Sequence, residues 1–313
     1  MIMLFLWVVG GVFLVIGGIV LSYRYGKASR ITMKKPAQYL QPQLWSDEEV
    51  TVGWIGHSTM YINLFGTKII TDPVLGKRVG EVLFPGLQVG FKRIVAPAIH
   101  LSELDKVDLI LISHGHFDHL DIPSLKKLAH ADTHVVTAPR ISHLLNRLWF
   151  NSVAELDSEE SIQLENGVKI TAVPVKHWGN RYPWNRDYGY TGFLIEKNGV
   201  RLFFPGDTAY TPDFLKLRRY GEIDIAFMPI GAYYPDSFQS AHCTPEQAWK
   251  MFLDTGAKWF IPMHWDTFLL SQEPIAEPLQ RLLHAAGSER ERIALTEQGK
   301  TFQLVQEKVR VYT

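Results

Sequence analysis

Ser113-His114-Gly115-His116-Phe117-Asp118-His119-Leu120-Asp121, read SHGHFDHLD, is the stretch that decides the fold. It gathers three histidines and two aspartates in nine residues, in a chain with only 12 histidines among 313 residues. Imidazoles and carboxylates are costly to bury without partners, and a bound cation relieves that cost. The stretch follows VDLILIS (107–113), a continuous apolar run that predicts a strand buried on both faces. It precedes a helix expected to open at Asp121 and Pro123 and to run to about Ala131. On an extended loop, His114 and His116 are two apart and point the same way. A helix-borne pair would need a spacing of three or four, as in H-E-x-x-H. Asp118 continues the alternation and His119 faces elsewhere, so one loop can serve two adjacent metal ions.

One loop cannot fill two coordination spheres, and further ligand types stand after later predicted strands. His177 follows VKITAVPV (168–175), Asp207 follows VRLFF (200–204), and His264 follows KWFIPM (258–263). Each lies just past a strand's C-terminal end, where sheet proteins commonly place their chemistry.

The rest of the pattern agrees. VTVGWI (50–55), TMYINLF (59–65) and TKIIT (67–71) read as an antiparallel meander. THVVT (133–137), YTGFLIE (190–196) and IDIAFMPI (223–230) read as further strands, with Asn198-Gly199 as a hairpin turn. Thr244-Pro245-Glu246-Gln247 predicts a helix start with a capping box, and Gly256 its stop. Residues 139–149 read as helix and 79–99 as an apolar, loop-like insertion. Strands first, then strand–helix alternation, twice over, predict two packed sheets with helices outside.

Basic and acidic side chains balance at 32 each, for a formal net charge of zero, which argues against a nucleic-acid binder. Cys243 is the only cysteine, so intrachain disulfides and thiolate metal sites are excluded. Residues 1–21 carry no charged side chain, and about 20 apolar residues suffice to cross a bilayer. A transmembrane anchor over 1–23 is therefore expected, then a linker over 24–49 and a catalytic domain over 50–313. A cleaved signal peptide is the competing reading, disfavoured by the missing basic start and cleavage site. Arg24, Lys27, Arg30, Lys34 and Lys35 flank the run, so the positive-inside rule predicts a single-pass cell-membrane protein with a cytoplasmic catalytic domain.

WIGHST (54–59), TDPVL (71–75), SHGHFDHLD, KHW (176–178), GDT (206–208), PIGAYYP (229–235), HCTPEQA (242–248) and HWDTF (264–268) together carry a family resemblance. Over roughly residues 50–270 the chain resembles the metallo-β-lactamase superfamily. Within it, the nearest likeness is to N-acyl-phosphatidylethanolamine-hydrolysing phospholipases D, with ascorbate-6-phosphate lactonases more distant. The resemblance implies an α/β fold, a four-layer αββα sandwich, and a centre of two divalent ions. One ion would take His114, His116 and His177, the other Asp118, His119 and His264, with Asp207 bridging. Zinc is the favoured metal, with manganese and iron as alternatives. A hydroxide shared by such ions, about 3.5–4 Å apart, would be the nucleophile on a phospholipid-like phosphodiester. Asp118 and His242 are the candidate catalytic residues, His242 as an orienting or proton-donating group. His57 and Asp72 are expected to orient ligands. Trp178, Tyr182, Trp184, Tyr188 and Tyr190, with the 79–99 insertion, are candidates to wall a groove for acyl chains or to meet a membrane interface. One departure from the phospholipase pattern is Ala241, where that branch carries a polar residue. A lactonase or other small-ester hydrolase and a non-catalytic binding scaffold are the competing functions.

Overall fold

The computed structural model describes residues 32–84, 87–104 and 106–304. The first sheet contains β1 (Val50–Gly56), β2 (Thr59–Leu64), β3 (Thr67–Thr71), β6 (Leu109–Ile112), β7 (His134–Thr137), β8 (Ser152–Glu155) and β15 (Thr301–Leu304). Their spatial order is β15-β1-β2-β3-β6-β7-β8. The second is ordered β14-β13-β12-β11-β10-β9. It uses β9 (Ser161–Gln163), β10 (Lys169–Val173), β11 (Gly192–Lys197), β12 (Val200–Phe204), β13 (Ile225–Pro229) and β14 (Trp259–Met263). Alternation along the strands divides each face. Val52, Trp54, Ile62 and Leu111 turn inward and share one core with Ile170, Phe193, Ile195 and Phe227 of the second sheet. Ile55, Tyr61, Ile70, Ile110 and Ile112 turn outward, under Leu125 and Leu128 of α1 (Ile122–Leu128).

On the far side of the second sheet lie α2 (Pro245–Thr255) and α3 (Glu277–Ala286). Ala248, Met251, Phe252 and Leu282 extend the central core to these helices. The expected layered sandwich is thus present, with helical segments outside two sheets. The predicted capping box also forms: Thr244 Oγ1 accepts from Gln247 N–H at 3.3 Å, and Gln247 Oε1 accepts from Thr244 N–H at 3.0 Å. Such a cap contributes about 1 kcal/mol.

Several expectations need correction. The proposed anchor, residues 1–23, lies outside the described residues. Against the expected single-pass membrane protein with a cytoplasmic catalytic domain, no helix among the described residues is long and apolar enough to cross a membrane. The 79–99 insertion is not loop-like at its start. There β4 (Arg78–Phe84) and β5 (Leu87–Lys92) pair as a ribbon, separate from both sheets. Gly80 and Gly90 face each other there, and a Cβ on Gly80 would lie 2.0 Å from Val89 O, so the strands meet only because both lack side chains. Residues 139–149 hold only a short 3-10 turn, Ser142–Leu145, after Arg140 enters the left-handed region at φ 62°. The α1 helix ends at Leu128, three residues before the predicted Ala131.

Residues 32–49 lie along the first sheet. Lys34 N–H donates to Ile94 O at 2.7 Å, and Leu40 is buried with Ile55 and Tyr61.

Candidate metal centre

The strand directions gather the site. In the first sheet β3 and β6 run parallel, and β1 is antiparallel to β2, which is antiparallel to β3, so all three end at one edge. The same reasoning aligns β10, β12 and β14 in the second sheet. His57, Asp72 and the 113–121 loop leave the first set of ends. His177, Asp207 and His264 leave the second. Thr191 N–H donates to Ser113 O at 2.9 Å, joining the two edges.

All seven predicted ligand positions converge there. One group of ligand atoms within 4.8 Å of one another belongs to His114, His116, His177 and Asp207. Another belongs to His57, Asp118, His119 and His264. The ring nitrogens of His114 and His116 approach to 2.8 Å, and those of His177 and His116 to 3.4 Å. Asp207 Oδ2 lies 3.0 Å from His264 Nε2 and 3.2 Å from His119 Nε2, and 3.9 Å from His177 Nε2, so it touches both groups. The loop is not extended throughout. It turns after His116, whose carbonyl accepts from His119 N–H at 3.1 Å and Leu120 N–H at 2.8 Å. That turn carries His119 back to Asp207.

Outer hydrogen bonds fix which nitrogen of three of the rings is bare. Asp72 accepts from Ser113 N–H at 2.7 Å, from Ser113 Oγ–H at 2.6 Å and from His119 Nδ1–H at 2.6 Å. With its proton given to Asp72, the Ser113 hydroxyl accepts from His114 Nδ1–H at 2.9 Å. His177 Nδ1–H donates to Ala241 O at 2.8 Å. The Nε2 lone pairs of His114, His119 and His177 are thereby left facing the centre. Since Ala241 acts through its backbone carbonyl, the departure from the phospholipase pattern leaves this bond intact. His57 Nε2–H donates to Asp118 at 3.0 Å and aims that carboxylate.

The residues present fit divalent cations. His119 Nε2, His264 Nε2 and Asp207 Oδ1 are buried with no hydrogen-bond partner, and His116 turns Nδ1 toward His114 and His177. Burial holds the rings of His114 and His177 well below the usual histidine range and pushes His116 down to about 4, so these are neutral donors. Burial would also lower His119, but Asp207, Asp118 and Asp72 outweigh it and hold that ring well above its usual range. His264 is raised to about 9, burial again being outweighed by Asp207 and Asp118. The carboxylates of Asp118 and Asp207 stay well below theirs, because burial is overcome chiefly by His119. Three carboxylates thus hold positive charge at one point, as protons on two rings when no cation does so. Nitrogen and carboxylate donors suit zinc, iron or manganese.

A groove of about 540 Å³ opens over this floor. Val79, Val89 and Phe91 of the β4–β5 ribbon line it together with Trp178 and Tyr182, whose hydroxyl donates to Glu81 of the ribbon. His242 lines it with Nδ1 3.7 Å from Asp207 Oδ2, and burial pushes its ring down to about 4. Both aromatic or apolar segments singled out in the sequence therefore border the groove. Trp184 is 74 % exposed and stacks on Tyr182 instead. Cys243 is buried, burial pushes its thiol up, and Sγ–H donates to Pro229 O. Sequence reasoning missed Ser113 and Arg181. Only the hydroxyl just ahead of H-x-H hinted at the first, and nothing local marked the second.

Comparison with known proteins agrees with this geometry. The family model described as "Beta-lactamase superfamily domain" matches residues 67–265. The N-acyl-phosphatidylethanolamine-hydrolyzing phospholipase D 1 of Caenorhabditis elegans is 30 % identical over 258 residues, covering 76 % of this chain and 70 % of that protein. A protein of Polaromonas named as a UPF0173 metal-dependent hydrolase is 32 % identical, over 68 % of this chain and 76 % of its own. The solved structure of Igni18, a metallo hydrolase from Ignicoccus hospitalis, superposes with a TM-score of 0.58 at 20 % identity, covering 82 % of this chain and 99 % of that one.

Proposed function

The chain belongs to the metallo-β-lactamase superfamily, close to the N-acyl-phosphatidylethanolamine-hydrolysing phospholipases D, and is a metal-dependent hydrolase; from that premise we propose a dinuclear phosphodiesterase of phospholipase D type. Its substrate is an N-acyl-phosphatidylethanolamine-like phospholipid. The observation that carries this reading is Asp207, shared by two groups of ligand atoms on the floor of a largely apolar groove.

His114, His116 and His177 would hold one ion and Asp118, His119 and His264 the other, with Asp207 within reach of both. A donor set of imidazole and carboxylate without thiolate suits zinc, iron or manganese, and the family likeness favours zinc among them. Bound ions supply Lewis acidity toward the phosphoryl oxygens and an acidified water. The chain's own residues do the rest. Asp72 and Ser113 keep the ligand tautomers, and His57 keeps Asp118 turned inward. Val79, Phe91 and Trp178 exclude water from the apolar part of the substrate. His242, at the groove wall beside Asp207, orients the phosphate by presenting a ring N–H to it. No serine or cysteine nucleophile is required, and Cys243 is turned into the core.

Two measurements test this. Metal analysis of the purified chain is expected to give close to two ions per chain, and His116→Ala to lose at least one. A substrate panel of phospholipid phosphodiesters against lactones is expected to show turnover of the former. Turnover of lactones alone would transfer the chain to the small-ester reading.

A further inference from the structure

Arg181 stands outside both groups of ligand atoms, yet it holds the loop that supplies half of their residues. Its Nη1 carries two N–H bonds, and these go to two carbonyls of one loop: Gly115 O at 3.0 Å and Leu120 O at 2.8 Å. Those carbonyls bracket His116, Asp118 and His119. The guanidinium carbon also lies 3.9 Å above the centre of the Phe117 ring, the residue at the middle of the same turn. Arg181 itself belongs to the β10–β11 connection, four residues after His177. A single side chain of the second sheet's loop therefore clamps the first sheet's loop at both ends and over its middle.

We infer that Arg181 is a positioning residue that sets the curvature of the 115–120 turn, so that His116, Asp118 and His119 present their donors at one fixed spacing to the metal pair. The inference rests on the metal reading proposed above. Arginine suits the task because its guanidinium is planar, permanently charged and able to stack while donating twice from one nitrogen. Lysine keeps the charge but has neither the plane nor the fork. The turn's own bonds, from His119 N–H and Leu120 N–H to His116 O, close it into a helical turn without fixing where its ends lie. Arg181 supplies that missing constraint.

The test compares holoprotein of the wild type with Arg181→Lys and with Phe117→Leu, which removes the stacking platform but leaves both carbonyl bonds. Metal affinity is read by chelator competition, and ligand geometry by the visible spectrum of the cobalt-substituted protein. The melting temperature of each metal-free protein is read alongside. Arg181→Lys is expected to weaken metal binding by about 10–100-fold, as loss of a residue orienting ligands does. It is also expected to shift the cobalt bands while the metal-free melting temperature stays near wild type. Phe117→Leu is expected to move both readouts in the same direction by less. Wild-type affinity and bands in Arg181→Lys would overturn the inference, as would a loss of affinity matched by collapse of the metal-free protein. Should Arg181→Lys not fold, unchanged affinity and bands in Phe117→Leu would overturn it. Absence of stoichiometric metal in the wild type itself would instead strike the metal reading.

Discussion

Replacing Asp72 by asparagine is the sharpest perturbation available, because one carboxylate governs rings in both groups of ligands. Asp72 is fully buried and accepts three hydrogen bonds, two on Oδ2 and one on Oδ1. The Asp72→Asn amide offers one oxygen and one NH2. Keeping the Ser113 N–H bond places the oxygen on the Oδ1 side and turns the NH2 toward His119 Nδ1 and Ser113 Oγ. His119 must then accept at Nδ1, and its proton moves to Nε2, the atom 3.2 Å from Asp207. Ser113 Oγ, now an acceptor from the amide, turns its own proton to His114 Nδ1, which sends that ring's proton to Nε2 as well. Neither Nε2 can then ligate. Loss of one outer partner costs about 10–100-fold in metal affinity, so two affected ligands call for a loss of about 100-fold or more, ~3 kcal/mol. Chelator competition reads the affinity, and nitrogen NMR of the imidazoles reads the tautomers. Ser113→Ala cuts only the His114 arm and is expected to cost about 10-fold. Two ions bound to Asp72→Asn with wild-type affinity would refute the reasoning.

Other predictions follow from single features. Gly206 adopts φ 61°, and a Cβ there would lie 2.4 Å from Ser113 Cβ, so Gly206→Ala should destabilise by ~2 kcal/mol in urea unfolding and displace Asp207. Thr244→Ala removes the capping box and should cost about 1 kcal/mol by the same measurement. For the metal-free chain, stability should fall as pH drops from about 6.5 toward 4, each ring contributing up to ~1.4 kcal/mol per pH unit. The sign follows because burial lowers His57 to about 3 and His116 and His242 to about 4, so the unfolded chain takes up these protons first. His264, raised to about 9, acts oppositely: its contribution is present below 6.5 and lost as pH rises through 9. Urea midpoints across that range that rise on acidification would contradict the assignment.

The centre was legible because most of its chemistry is local. SHGHFDHLD needs no tertiary knowledge to look like a ligand loop, and the three remaining positions betray themselves by following apolar strands. Thr244 was equally readable, since a capping box closes within four residues. What escaped was whatever depends on distant partners. Ser113 acquires its role only from Asp72, 41 positions earlier, and Arg181 only from carbonyls more than sixty residues away. The β4–β5 ribbon hid because it pairs with neither sheet. Val79 is buried, but Val82, Leu83, Phe84 and Leu87 are all exposed, so no steady inside–outside alternation marks it as strand. The α3 helix hid for another reason. Ala276 at its N-cap makes no side-chain bond, leaving Pro278, Leu282 and Ala286 as the buried trace of its period.

The division of the polar cluster between the two sheets has a mechanical consequence. Three of the seven positions, His177, Asp207 and His264, come from one half of the sandwich and four from the other, so neither half contains a working set. The cluster sits at the open end of the seam, like a clasp. Whatever cation it grips is a cross-link between distant parts of the chain, and its free energy of binding is added to the cohesion of the sheets. Stripping that cation should loosen the seam from this edge inward, and the ribbon and the His177-bearing loop should exchange their amide hydrogens first.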